Sequence, residues 1–314
     1  MNASNGNGTL VASPTELSRI IRLLTGKGGG GNLPFPKIDL SIEDTGGGAI
    51  RAFSEHANAL ETAMVRVSWP TDGAGAFALA LSTPEKMIDY LEGLCIPDVP
   101  VELRYDESLG RLDLANGTNR IALPTIPFGD VPRSKREGLW TTTSEGVAVS
   151  SDPKKRPDEG ASLADYPAKG FLVARISRTT LERVLAAGSI ILSHGFRAAL
   201  VRFSFAGGKG AVEIADPKDP KGERVDLALP TLGITPTVDD TFPVLYSGVD
   251  SLWESLRKSK ADEFTLVHFA GRDGEKPESR VNLAFEEKAE DGRSLLRYTQ
   301  VFATHRDPRA NKEA

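Results

Sequence analysis

Residues 9–24 read TLVASPTELSRIIRLL, and residues 171–186 read FLVARISRTTLERVLA. Each begins with a short apolar stretch that alternates like a strand. Each then passes into apolar positions at helical spacing. In the first copy Ser13-Pro14-Thr15-Glu16 is a helix start. It has a capping hydroxyl, a proline at the first helical position, and a glutamate three residues after the cap. Leu17, Ile20, Ile21 and Leu24 then share one face.

The repetition extends outward from this pair. FALALSTPEKMIDYL at 77–91 answers FPVLYSGVDSLWESL at 242–256, and VELRYDESLGRLDL at 101–114 answers FTLVHFAGRDGEKPESRVNL at 264–283. An offset of about 163 residues marks a duplicated domain rather than a short-repeat array. In the first half, strands are expected near 9–12, 37–42, 49–53, 63–69, 76–81, 101–105, 111–114 and 120–123, with helices at 14–25 and 84–94. In the second half they are expected near 171–176, 198–205, 211–215, 224–229, 242–246, 264–269, 280–285 and 295–302, with helices at 178–192 and 249–260. This order predicts an α+β chain of antiparallel sheets with two helices per half packed on one side. The expected domains are 1–125 and 170–305, followed by a tail at 306–314. The intervening 126–169, rich in Pro, Gly, Ser and charge, is expected to be an exposed linker. Its basic run Lys154-Lys155-Arg156 reads as a solvated segment, with a nuclear-type address or a nucleic-acid contact as alternatives.

The run LLTGKGGGGN at 23–32 satisfies G-x-G-x-x-G at Gly26, Gly28 and Gly31 and holds a lysine. A phosphate-binding loop needs a strand before it and a helix after it, and a Ser or Thr after the lysine. Here Gly28 follows Lys27, a helix precedes, and a strand is expected next. The run is read as a turn.

Bulk properties narrow the function. The chain has 314 residues, formal net charge −5 and one cysteine, Cys95, which has no partner for an internal disulfide. No leader-like segment opens the sequence, and no apolar run reaches the roughly 20 residues of a membrane span. An intracellular setting is expected: the cytoplasm of a prokaryote or virus-infected cell, or a nucleus. An acidic chain does not coat itself with nucleic-acid contacts, but it can carry a local basic face.

The duplicated pattern resembles the sliding clamps of the proliferating cell nuclear antigen (PCNA) type, found in archaea, eukaryotes and some viruses. The resemblance rests on the two segments quoted first, on AIRAFSEHANALETAMVRVSWP at 49–70, on RIALPTIP at 120–127 and on LLRYTQVFATH at 295–305. The linker is longer than usual in that family, and the tail HRDPRANKEA is more basic. The resemblance implies a homotrimeric ring with helices lining the hole and sheets outside. It implies no enzyme activity, no cofactor and no membrane. The expected partners are double-stranded DNA, held non-specifically by its phosphates, and a DNA polymerase and clamp loader that bind through short peptide motifs. Ring closure would pair the strand near 119–123 with the strand near 224–229 of the next copy. A monomeric clamp-fold binding protein and an unrelated α+β enzyme remain as alternative readings.

On the helices, Arg19, Arg22, Arg178, Arg183, Arg257, Lys258 and Lys260 fall away from the apolar stripes or at helix ends, and Lys86 shares its face with Glu85, Asp89 and Glu92. These eight are the expected DNA contacts. The resemblance places a client-peptide pocket at Phe53, Ile126, Phe128, Phe264, Val301 and Phe302. His56, His194, His268 and His305 stand in no metal-binding or nucleophile spacing. His56 is expected in a surface loop and Cys95 in the core.

Overall fold

The structure is a computed structural model. It describes residues 8–25, 40–44, 49–57, 62–70, 78–81, 83–126, 140–142, 148–150, 171–193, 200–215, 224–235, 239–245, 259–269, 280–290 and 294–303. The chain divides into two compact units. One holds Met1–Leu60, Met64–Gly138 and Glu286–Tyr298; the other holds Glu61–Ala63, Leu139–Phe285 and Thr299–Ala314.

In the first unit the order is β1 (Gly8–Ala12), α1 (Pro14–Thr25), β2 (Leu40–Asp44), β3 (Ala49–Ala57), β4 (Thr62–Pro70), β5 (Ala78–Leu81), α2 (Pro84–Gly93), β6 (Val101–Asp106), β7 (Arg111–Asn116) and β8 (Asn119–Ile126). The strands lie side by side as β1-β6-β7-β8-β5-β2-β3-β4. The chain next forms a two-stranded antiparallel ladder, β9 (Trp140–Thr142) with β10 (Ala148–Ser150), inside the stretch expected to be linker. The second half continues with β11 (Phe171–Ser177), α3 (Arg178–Ser193), β12 (Leu200–Ala206), β13 (Lys209–Ala215), β14 (Arg224–Leu229), β15 (Thr231–Thr235), β16 (Asp240–Leu245), β17 (Glu263–Phe269), β18 (Arg280–Lys288) and β19 (Ser294–Ala303).

The duplication is visible in the pairing. β1 lies antiparallel to β6 with Leu10 opposite Leu103, and β11 lies antiparallel to β17 with Val173 opposite Val267. β2 is flanked by β3 and β5 with Leu40 opposite Leu81, and β12 is flanked by β13 and β16 with Leu200 opposite Leu245. β15 is the departure: it adds a strand to the free side of β11. The fourth expected helix, 249–260, lies at 249–258 outside the described residues. Residues 259–262 lead into β17 without helical structure.

The helices form where the apolar period places them. In α1, Leu17, Ile20, Ile21 and Leu23 are buried, Leu23 adding to the expected stripe. Ser13 accepts the backbone N–H of Leu17 on its carbonyl at 2.9 Å. Pro14 opens the helix. In α2, Met87, Ile88, Tyr90 and Leu91 face inward, and the Tyr90 hydroxyl donates to the Asn119 carbonyl at 2.8 Å. In α3, Ser177 caps the Thr180 N–H and Leu181, Val184, Leu185 and Ile191 are buried. Each fully buried leucine or isoleucine contributes about 1.5–3 kcal/mol.

Among the described residues β8 along 119–124 and β14 keep an open edge, as do the sheet-end strands β1, β15 and β16 and the β9–β10 ladder. The β7–β8 hairpin closes over Gly117-Thr118, with Asn116 opposite Asn119. The closing pair of a two-residue hairpin is hydrogen-bonded, and bonded pairs then alternate. Odd positions of β8 therefore bond to β7. The Thr125 N–H, which donates to the Gly110 carbonyl at 2.8 Å, keeps the same parity. Arg120, Ala122 and Pro124 point their backbone groups outward, and β5 pairs only with Thr125 and Ile126. The β12–β13 hairpin turns through Gly207 and Gly208, both with positive φ, so β13 bonds to β14 at Gly210, Val212 and Ile214. Arg224, Asp226 and Ala228 of β14 point outward, and β14 ends its sheet.

A buried polar anchor holds the loop between α2 and β6. The Asn116 side chain is fully buried. Its Oδ1 accepts the Ile96 N–H at 2.7 Å, and its Nδ2 donates to the Val99 carbonyl at 2.6 Å. Asn119 Nδ2 donates to the Leu94 carbonyl at 2.7 Å. Asn116→Ala removes the partner of the Ile96 N–H and the Val99 carbonyl at a part-buried site and is expected to cost about 2 kcal/mol. Urea unfolding followed by circular dichroism reads this as a lower midpoint. A midpoint equal to wild type would show that the loop is held without it.

Candidate functional site

The expected DNA contacts separate into groups once their partners are seen. Arg19, on α1, does not face open solvent. Its side chain is 13% exposed, and its guanidinium meets Glu16 at 2.6 Å and Glu287 at 2.8 Å, with the Glu287 side chain 4% exposed. Burial disfavours its charge, but the hydrogen bonds to Glu287 and Glu16 outweigh that and raise its pKa above the usual arginine value. Arg19 therefore neutralises a buried carboxylate. Removing such a partner leaves an uncompensated charge.

Arg178 opens α3 and also works within the protein. Its Nε donates to the Ala261 carbonyl at 3.0 Å, and its Nη2 donates to the Ser259 and Ala261 carbonyls at 2.8 and 2.7 Å. The side chain thereby clips the segment that feeds β17. Helical spacing shows which way each side chain leaves its own helix, not which distant segment waits there.

Arg22 forms a bidentate fork with Glu92 of α2. Its Nε lies 2.6 Å from Oε1 and its Nη2 2.5 Å from Oε2. Ser18, one turn earlier on α1, donates its hydroxyl to the same Oε1 at 2.5 Å. The hydrogen bond to Glu92 is the main cause of a raised Arg22 pKa. Arg183 on α3 is exposed and makes no ion pair among the described residues. Lys86 on α2 and Lys260 before β17 are exposed as well. Arg257 and Lys258 lie outside the described residues. The two helices of the first unit carry Arg19, Arg22 and Lys86 against Glu16, Glu85, Asp89 and Glu92, whereas α3 carries Arg178 and Arg183 against Glu182.

Of the expected client pocket, Phe264 is buried. It lies in β17, 1% exposed, with its ring edge-to-face on Phe285 at 5.5 Å, and is a core residue. Phe53 sits on β3 opposite Ser41, Ile126 ends β8 opposite Ala80, and Val301 and Phe302 lie on β19. Phe128 lies outside the described residues.

The remaining polar chemistry is structural. β3 runs through Ala57, so His56 belongs to a strand and not a loop. His268 is buried, stacks on Phe242 at 4.1 Å and shares a 2.6 Å hydrogen bond with Asp240. Cys95 is half-buried rather than in the core, and burial pushes its thiol pKa up, away from the reactive thiolate. Among the described residues no group of His, Cys, Asp and Glu is arranged to hold a metal, and no helix is long and apolar enough to cross a membrane. Sequence reasoning missed Glu92 and Glu287 as partners of the arginines. Glu92 was legible only as an acidic intrusion on a basic face.

By sequence, no family model and no curated protein matches the chain. The fold does match solved structures. The DNA polymerase III beta chain of Streptococcus pneumoniae aligns with a TM-score of 0.61 at 11% identity, over 98% of this chain and 66% of that one. The proliferating cellular nuclear antigen of Entamoeba histolytica aligns at 0.58 and 10% identity, over 96% of this chain and 98% of that one. The DNA polymerase sliding clamp of Pseudomonas aeruginosa aligns at 0.58 and 12% identity, over 98% and 68%. This chain thus spans about two thirds of the bacterial beta chain and nearly the full length of the nuclear antigen. The duplicated, antiparallel architecture described above is the fold of the DNA sliding clamps.

Proposed function

We propose that the protein is a DNA sliding clamp, an intracellular processivity factor whose three copies close into a ring around duplex DNA and tether a polymerase and other replication and repair factors. Its role is binding rather than catalysis. The observation that carries this reading is the pair of open strand edges of matching length, residues 119–124 of β8 and 224–229 of β14, on a chain of the clamp fold. An open edge exposes unpaired donors and acceptors that favour a partner strand. Each copy carries one edge of each kind, so head-to-tail pairing closes by rotation.

In this reading the DNA contacts are the exposed cations Arg183, Lys86 and Lys260, together with Arg257 and Lys258 of the expected fourth helix. They grip phosphates without reading bases. The client peptide docks at the mouth of the linker, on Ile126 and Phe128 with Phe53. Ile126-Pro127-Phe128 places two large apolar residues around a proline where a polar segment begins.

The assembly is tested with Ala122→Pro and Ala228→Pro. Each removes an outward N–H and leaves the internal ladders intact. Sedimentation should show smaller species than wild type with unchanged circular dichroism. Variants that keep the wild-type mass would contradict edge pairing. Leu227→Pro is the contrasting case, because Leu227 bonds inward to β13 and its loss should unfold the sheet.

Changing Arg183, Arg257 and Lys258 to Glu should weaken duplex binding. Each lost phosphate contact lowers the slope of log K against log salt by about 0.9. An unchanged slope would move the DNA contact elsewhere. Phe128→Ala should weaken binding of the cognate polymerase's C-terminal peptide by about 2 kcal/mol if this aromatic is an anchor. Titration calorimetry reads it, and full affinity in a folded variant would remove Phe128 from the site.

A further inference from the structure

We propose that Ser18 and Arg22 form a phosphate-binding subsite for duplex DNA, which the carboxylate of Glu92 occupies in the free protein. The inference rests on the reading that these helices meet DNA. It adds Arg22 to those contacts, together with an internal competitor for it.

The geometry is that of an anion site. The Arg22 guanidinium presents Nε and Nη2 in a fork to two oxygens, and the Ser18 hydroxyl donates to one of them. A fork of this kind fits phosphate as well as carboxylate. The Ser18 side chain is buried, but Arg22 is 33% and Glu92 45% exposed, so a ligand reaches the fork from solvent.

Glu92 is poorly placed for its own helix. It stands in the last turn of α2, where the carbonyl ends disfavour negative charge. Asp89, one turn back, adds like-charge repulsion. The α2 sequence therefore gives no local reason for an acid here. The cross-helix contact to α1 gives one.

A phosphate must displace Glu92 before it gains Arg22, and the displaced carboxylate then repels the DNA backbone. The helices of the first unit, with four carboxylates against three cations, therefore grip duplex loosely. A weak, replaceable contact suits a protein that must slide.

The test is Glu92→Gln, which keeps the shape and one acceptor and removes the charge. Because an exposed ion pair contributes little to stability, the variant should melt near wild type. Binding to a short linear duplex is followed by fluorescence anisotropy across salt concentrations, with wild type, Glu92→Gln, Arg22→Gln, the double variant and Arg183→Glu. Glu92→Gln should bind roughly three- to tenfold tighter at low salt, with a slope steeper by about 0.9 per subunit. The double variant should lose that gain. Unchanged affinity and slope in Glu92→Gln would overturn the proposal, as would a gain that survives in the double variant, since the effect would then be net charge alone. If wild type binds duplex and Arg183→Glu weakens it while Glu92→Gln does nothing, the subsite fails and the clamp reading stands. If neither wild type nor Glu92→Gln binds duplex, both fail.

Discussion

The pairing of β1 with β6, and of β11 with β17, is the constraint on which the rest of each half depends. Both are antiparallel ladders between strands that lie far apart in sequence. In the first half the ladder encloses α1, four strands and α2, so the two helices must lie together. Once they do, the apolar stripes Leu17, Ile20, Ile21 and Met87, Ile88, Leu91 share one core, and the polar residues Ser18, Arg22 and Glu92 meet at its rim. In the second half the same ladder brings Arg178 at the start of α3 against the carbonyls of Ser259 and Ala261, just before β17. Long-range strand pairing thus decides which charged side chains find each other.

That constraint divides the arginines into two kinds. Arg19 and Arg178 donate to buried or half-buried acceptors, where removing the cation takes a partner from a buried carboxylate or from two carbonyls. Arg183 stands in solvent, where its loss costs the fold little. An amphipathic helix looks the same in sequence in both cases. The difference lies in Glu287, which is 268 residues from Arg19, and in Ala261, which is 83 residues from Arg178.

Much of the fold was legible in the sequence. Capping chemistry and apolar period placed α1 from Pro14 to Thr25, and strand alternation placed β14 from Arg224 to Leu229. The glycine run at 26–31, read as a turn, lies outside the described residues between α1 and β2. β15 escaped because Thr231-Leu232-Gly233-Ile234-Thr235 is short, holds a glycine and has no counterpart in the first half to suggest it. The β9–β10 ladder escaped because three-residue strands give alternation nothing to repeat. The inward direction of Leu227 followed only from the parity of two hairpins, which no single-strand pattern contains. At the candidate site the types of residue were legible, and their partners were not.

If open edges on a duplicated chain drive closure into a ring of three, the mass of the wild-type protein in solution must report it. Light scattering coupled to size exclusion measures that mass. Three copies of the 33.7 kDa chain give about 101 kDa (3 × 33.7), and ring closure predicts that value across a wide range of protein concentration. A single species at 33.7 kDa would contradict it, leaving a clamp-folded protein that does not close.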